Sequence, residues 1–285
     1  MQTYLDCYPC FLRQALEAGR MAGAAEAAQK AIMDEVLEVL QHAKATQTPP
    51  EIGYKVHAVV KRLSGVYDPY LEVKQQNTSQ ALALYPHFKE IRDASDDPLM
   101  TAVRLSIAGN IIDFGINLEY DLEEVVQRVL EQPFAVDDGQ AFRQTLAQAD
   151  EVLYLADNAG ETVFDKLLIE VLGKPVVYVV KGAPIINDAT EEDARAAGLH
   201  EVAQITDNGT DAMGTVLPIV SQKFLALFEK ASFVIAKGQA NYETLSDAGK
   251  KVFCLLQVKC PIIGRHVGVP VGSIVLRQSE DRNGD

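Results

Sequence analysis

A chain of 285 residues, 48% hydrophobic and 23% charged, is long enough to bury a core in one large domain or two and has the composition of a folded protein. Its 26 basic side chains against 40 acidic ones leave a formal charge of −14, a field that repels phosphate backbones and argues against a nucleic-acid partner. No apolar stretch has the length of a membrane span, and the first residues carry neither a basic nor an apolar leader segment, so the expectation is a cytoplasmic protein whose four cysteines are reduced.

From Cys7 to about Gln148 apolar residues recur at helical spacing. Phe11-Leu12-Ala15-Leu16 and Ile32-Val36-Val39-Leu40 form two stripes. Thr48-Pro49-Pro50 and Tyr67-Asp68-Pro69 mark turns between helices. Leu122-Val125-Val126-Val129-Leu130 and Phe142-Leu146 predict two further helices. Residues 1–148 are therefore expected to form an all-helical domain or cap, and residues 149–285 a second domain.

Beyond residue 150 the pattern changes. Short apolar runs at Val152–Ala156, Val176–Val180, Val202–Ile205, Phe233–Ala236 and Val252–Leu256 alternate with helical segments, and residues 274–277 predict an edge strand. Between the first two runs, Val163, Leu167 and Val171 share one helical face with Phe164, Leu168 and Leu172. Such alternation predicts βαβ units and an α/β fold with a mainly parallel sheet covered on both faces.

Parallel strands bring their carboxyl ends to one edge, so the loops after the runs can converge. They read Asp157-Asn158-Ala159-Gly160-Glu161, then Lys181-Gly182-Ala183-Pro184 with Asn187 to Asp193, then Thr206 to Asp211, then Lys237-Gly238-Gln239-Ala240-Asn241-Tyr242-Glu243. Asp157 and Asn158 place two hard oxygen donors on a tight turn at a strand end, where open α/β sheets bind ligands and where a divalent cation such as Mg²⁺ or Mn²⁺ would suit them. Each alone could equally cap the following helix. Together the loops predict an acidic metal-binding site with lysines beside it.

These loops, with Cys7-Tyr8-Pro9-Cys10 near the start, resemble the damage-control phosphatases, the family long called domain-of-unknown-function 89. The resemblance spans Cys7 to Cys260, and the motifs are specific in combination rather than singly. It implies a Rossmann-like three-layer α/β/α sandwich behind a helical part. It further implies a metal-dependent phosphatase acting on small phosphometabolites, either sugar phosphates or damaged cofactor precursors, with Mg, Mn, Co or Ni as the ion. Carried over by position, Asp157, Asn158 and Asp193 match the metal ligands, the latter one βαβ step from the first. Lys237, Gly238, Gln239 and Asn241 match a phosphate-gripping loop. Lys259 matches the last lysine of an Arg-Thr-x-Lys motif, although here Leu256-Gln257-Val258 precede it. Asn110, within Gly109-Asn110-Ile111-Ile112-Asp113, matches a segment near the substrate pocket, whereas Asp113 reads as readily as structural.

Hydrolysis of a phosphomonoester requires charge neutralisation at the phosphoryl oxygens and an in-line nucleophile. Water is the expected nucleophile, with a carboxylate attack by Asp157 as the other route. Glu161 stands as an orienting or base group, or as a first-turn charge complementing the helix dipole. Cys7 and Cys10 have the spacing of zinc and redox pairs, but Cys254 and Cys260 are wrongly spaced to complete a four-thiolate site, and the expected role is packing or an approach to the active site from the helical domain. The rival functions are a methyltransferase using S-adenosylmethionine and a non-catalytic phosphometabolite-binding protein. Against the former, the first strand ends in Asp-Asn rather than a Gly-rich cofactor turn. Oligomeric state stays open.

Overall fold

The computed structural model describes residues 1–111 and 122–281, with side chains for 1–109 and 127–281. In chain order, α1 (Cys7–Met21), α2 (Glu26–Gln41), α3 (Pro49–Ser64), α4 (Leu71–Asp93), α5 (Pro98–Ile111) and α6 (Leu122–Glu131) precede a first short strand, β1 (Val136–Asp137), and α7 (Gly139–Gln148). The alternating part follows as β2 (Val152–Leu155), α8 (Thr162–Ile169), β3 (Val176–Val180), α9 (Glu191–Ala196), β4 (Gln204–Asp207) and α10 (Gln222–Lys230). It closes with β5 (Val234–Lys237), α11 (Gly238–Leu245), β6 (Val252–Gln257), α12 (Pro261–Val267) and β7 (Ile274–Gln278). Each strand anticipated from the apolar runs is present, shifted by at most two residues at its ends, but β7 is not the edge strand expected at 274–277, because β1 pairs on its outer side.

The seven strands among the described residues form one sheet in the order β1-β7-β6-β5-β2-β3-β4. All neighbours are parallel except β6 and β7. The chain runs outward from β2 through β3 to β4, then returns to β5 on the other side of β2. The strand order therefore reverses between β2 and β5, and a crevice opens beyond their carboxyl ends, the usual ligand position in open α/β sheets.

Every residue of β2, β3 and β5 is buried, as expected for parallel strands covered on both faces. One face, carrying Val152, Tyr154, Tyr178 and Ile235, packs against α4, α5, α7 and α8 through Phe88, Val103, Phe142 and Phe164. The other, carrying Leu153, Leu155, Val177 and Val234, packs against α10, α11 and α12 through Phe224, Tyr242 and Ile263. A third core, built from Phe11, Ile32, Val36, Val56 and Val60, lies wholly within α1, α2 and α3.

The cores do not divide at the expected boundary between 148 and 149. Among the described residues only α1–α3 have a core of their own; α4 to α7 join the core on one face of the sheet, α5 and α7 against strands and α4 and α6 through α5 and α8, and β1 pairs with β7 inside the span expected to be all helical. The reason is the apolar content of α5, whose Val103, Leu105, Ile107 and Ala108 are all fully buried against the sheet. A helix hydrophobic all round belongs in a shared interior rather than in a cap.

Candidate functional site

The turn after β2 and the loop after β3 are laced together by backbone hydrogen bonds. Ala159 N donates to Asn187 O at 2.8 Å, Ala189 N to Asp157 O at 2.8 Å and Lys181 N to Ala189 O at 2.9 Å, with an antiparallel bridge between Asn158 and Asp188. This lacing gathers Asp157, Asn158 and Asp188 on the wall of one cleft of about 440 Å³. Opposite them stand Cys7, Cys10, Phe11, Arg13 and Gln14 of α1, while Gln239, Glu243 and Lys259 come from the far side of the strand-order reversal. Ile186, at the tip of the loop, holds a φ of 44°. A β-branched residue is strained there, and strain of this kind collects at ligand-binding loops.

Asp188 is the acidic group that sequence reasoning passed over in favour of Asp193. It is 4% exposed. Its Oδ2 is buried without a hydrogen bond among the described residues, and Lys181 Nζ approaches it at 3.4 Å. Burial pushes its carboxyl up to about 6 against the opposing pull of Lys181.

Asp193 has a different task. It is the third residue of a capping box on α9, its Oδ2 accepting from Thr190 N at 2.9 Å and Thr190 Oγ1 at 2.7 Å. The same oxygen takes the buried ammonium of Lys74 at 3.0 Å. With its oxygen so occupied and its side chain away from the cleft that holds Asp157, Asp193 is not brought to the metal-type cluster. The Thr-x-x-Asp spacing of residues 190–193 was a visible helix-start signature and would have separated the two aspartates.

Three further expectations are relocated. Lys237 is fully buried, and its ammonium donates to Ser106 O at 2.9 Å, Glu161 Oε2 at 3.0 Å and Asp165 Oδ1 at 2.7 Å. Three donors on three partners leave none for a phosphate. Burial works against its charge, but Asp165 and Glu161 outweigh it and hold its pKa above the ordinary lysine value.

Asn241 is likewise fully buried. Its Nδ2 donates to Ala156 O at 3.1 Å and Lys237 O at 2.7 Å, and its Oδ1 accepts from Thr215 Oγ1 at 2.8 Å. It clamps the ends of β2 and β5 rather than facing the cleft.

Glu161, 1% exposed, lies behind Asn158 and accepts from its Nδ2 at 2.8 Å. Burial, with Asp157 and Asp165 adding to it against Lys237, pushes its carboxyl up to about 7.

Gly238 sits at φ 76° where a methyl group would overlap the Asp157 carboxylate. Only glycine lets α11 begin so close to the Asp157 turn. Gln239 and Lys259 do line the cleft, and Gln239 Oε1 accepts from Lys259 N at 3.2 Å. The side chain of Asn110 and all of Asp113 lie outside the described residues. Glu243 was not anticipated; it is nearly buried in the cleft, and burial pushes its carboxyl up to about 8. No local sequence signal marks it, since it shares a motif with residues that face elsewhere.

Among the described residues no three His, Cys, Asp or Glu side chains together form a metal cage. The cluster has two carboxylates and one amide, with a buried Asp188 oxygen lacking a hydrogen bond, and this hard-oxygen set fits a divalent cation that keeps part of its water shell.

Comparison with known proteins agrees with this architecture. The family model for the damage-control phosphatase ARMT1-like domain matches residues 3–275. The chain is 33% identical over 284 residues to a damage-control phosphatase of Archaeoglobus fulgidus, covering 96% of this chain and 98% of that protein. A crystal structure of a domain-of-unknown-function 89 family protein from Pyrococcus horikoshii superposes with a TM-score of 0.91 at 32% identity, covering 98% of this chain and 100% of that one. An uncharacterised protein of Methanocaldococcus jannaschii is 33% identical over 95% of the chain and 93% of its own length. Fold, motif order and full-length similarity agree: the chain belongs to the damage-control phosphatase ARMT1-like family.

Proposed function

We propose that the protein is a metal-dependent phosphomonoesterase acting on small phosphorylated metabolites, with Asp157, Asn158 and Asp188 as the residues that would hold the divalent ion. The observation that carries this reading is their convergence at the strand-order reversal, with a buried Asp188 oxygen that faces Lys181 at 3.4 Å and has no hydrogen bond among the described residues. Naming of the Archaeoglobus and Pyrococcus relatives as damage-control phosphatases supports the reaction class. When bound, the cation neutralises charge on the phosphoryl oxygens. Lys259 and Gln239 lie on the cleft wall where a phosphate or its attached organic group would dock. Lys181 offsets the charge of Asp188 from behind.

In the reaction, water attacks phosphorus as the P–O bond to the organic group breaks; the water oxygen stays on the phosphate and, in the net reaction, one of the water's protons ends on the departing oxygen. Glu243, whose carboxyl burial pushes up to about 8, lies in the cleft where it can hydrogen-bond the departing oxygen. The α1 wall, with Phe11, Arg13 and Gln14, faces the organic group and is placed to select it.

The test is p-nitrophenyl phosphate hydrolysis by purified protein. Turnover is expected with Mn²⁺, Co²⁺ or Ni²⁺, is lost with EDTA, and is abolished by Asp157→Ala. Metal-independent turnover of the EDTA-treated protein would refute the reading, as would full activity in Asp157→Ala.

A further inference from the structure

The cation reading leaves Asn158 with a problem of orientation. An amide side chain has an oxygen that can ligate a cation and an NH₂ that repels one, and rotation by half a turn exchanges them. Something must hold the correct end outward.

Behind Asn158 a chain of buried groups alternates strictly between donors and acceptors. Tyr154 and Tyr178, paired across β2 and β3, donate their hydroxyls to Asp165 Oδ1 and Oδ2, each at 2.7 Å. Lys237 donates to Asp165 Oδ1 at 2.7 Å and to Glu161 Oε2 at 3.0 Å. Asn158 Nδ2 then donates to Glu161 Oε1 at 2.8 Å. Tyr154, Tyr178, Asp165, Lys237 and Glu161 are all at or below 1% exposure, so water does not compete for these bonds. With Lys237 on one Glu161 oxygen, the other takes the Asn158 NH₂, which also reaches Asp157 Oδ2 at 3.5 Å, and Oδ1 is left as the end available to the cleft.

We propose that these five residues form a buried relay that sets the orientation of the Asn158 amide, making Asp165, Tyr154 and Tyr178 positioning residues for a cation that none of them touches. The inference rests on the metal site proposed above. It also accounts for a costly arrangement, since a lysine and two carboxylates buried together are retained more readily for specificity than for stability.

The chain of donors makes a prediction that packing alone would not. In Glu161→Gln, Lys237 still requires an oxygen, so the new amide must turn its NH₂ toward Asn158, which then flips its own NH₂ toward the cation. Adding Asn158→Asp repairs the defect: a carboxylate accepts from the new amide with one oxygen and offers the other outward, whichever way it turns. The double variant also keeps the charge of the site.

The experiment is Mn²⁺ titration of the full chain followed by electron paramagnetic resonance, with thermal melting to check folding. Glu161→Gln is expected to weaken Mn²⁺ binding by about 10- to 100-fold, and the double variant to regain most of that loss. Tyr154→Phe and Tyr178→Phe, which remove one donor each and keep the ring, are expected to weaken Mn²⁺ by a smaller factor. Unchanged affinity in Glu161→Gln overturns the relay, as does a double variant no tighter than the single. If Glu161→Gln does not fold, unchanged affinity in both tyrosine variants overturns it. A wild-type protein that binds no Mn²⁺ removes metal site and relay together, whereas relay failure in a protein that binds Mn²⁺ leaves the metal site standing.

Discussion

Asp188 and Asp193 are only five residues apart, yet the first, on the loop after β3, stands beside Asp157 and Asn158 while the second, in the first turn of α9, closes a helix cap and pairs with Lys74. Their replacements therefore separate. Asp188→Asn is expected to lower metal-dependent turnover by at least about two orders of magnitude with little change in melting temperature. Asp193→Asn is expected to cost about 1–3 kcal/mol of stability and to leave turnover near wild type. Steady-state kinetics beside denaturant unfolding reads both, and the reverse pattern would restore Asp193 as the ligand. At this scale the sequence was half legible. The cleft position of Asp157 and Asn158 follows directly from an apolar run ending in a polar turn. Choosing between two aspartates on the next loop depended on which one the capping box consumed. For Lys237 and Asn241 the motif was visible but not the direction of the side chains, because that is set by Ser106 on α5 and Thr215 on a distant loop.

At the level of elements, β5 ends in a lysine that points into the interior, and α5, α8 and β2 supply what surrounds it. The network is the bond between sheet and helices at this spot, so Lys237→Met leaves Glu161 and Asp165 as buried charges without their cation. Urea unfolding is expected to show a loss of about 3–5 kcal/mol. A variant of near-normal stability whose only defect is a raised KM would instead return Lys237 to a phosphate-binding role. The strands themselves were legible because central parallel strands are apolar on both faces. The short β1 was not: two residues, Val136 and Asp137, carry no pattern, and their pairing with β7 is specified only by the tertiary structure. The same holds for α4 to α7, whose helical periodicity shows that they are helices but not which layer they cover.

For the molecule as a whole, the three-helix unit meets the α/β body through few polar ties. Lys61 of α3 donates to Asp211 Oδ2 at 2.6 Å and to Pro184 O, the amino terminus donates to Glu243 O at 3.0 Å, and Arg265 of α12 donates to Asp6 Oδ2 at 3.0 Å. Beneath Lys61, His57 is buried, with no hydrogen bond at Nε2 among the described residues. Burial, helped by the positive charge of Lys61, lowers its pKa from 6.5 to about 4. As the pH falls through 6.5 the unfolded chain takes up this proton first, so the folded state loses stability down to about pH 4 and keeps all of it above 6.5. The shift corresponds to roughly 3 kcal/mol. Unfolding free energy measured from pH 7 to pH 4 is expected to fall less steeply in His57→Leu than in the wild type. Parallel profiles would mean that His57 takes up its proton without penalty.

The separate core of α1–α3 has an evolutionary consequence. One bank of the channel rests on packing that the opposite bank does not share, so changes that retune the amino-terminal bank for a new organic group need not disturb the reaction machinery across from it. Paired substitutions on opposite banks, more than a few side chains apart, are then expected to combine additively. Such a division would let the α1 side chains that line the cleft be redecorated while the opposite wall is kept.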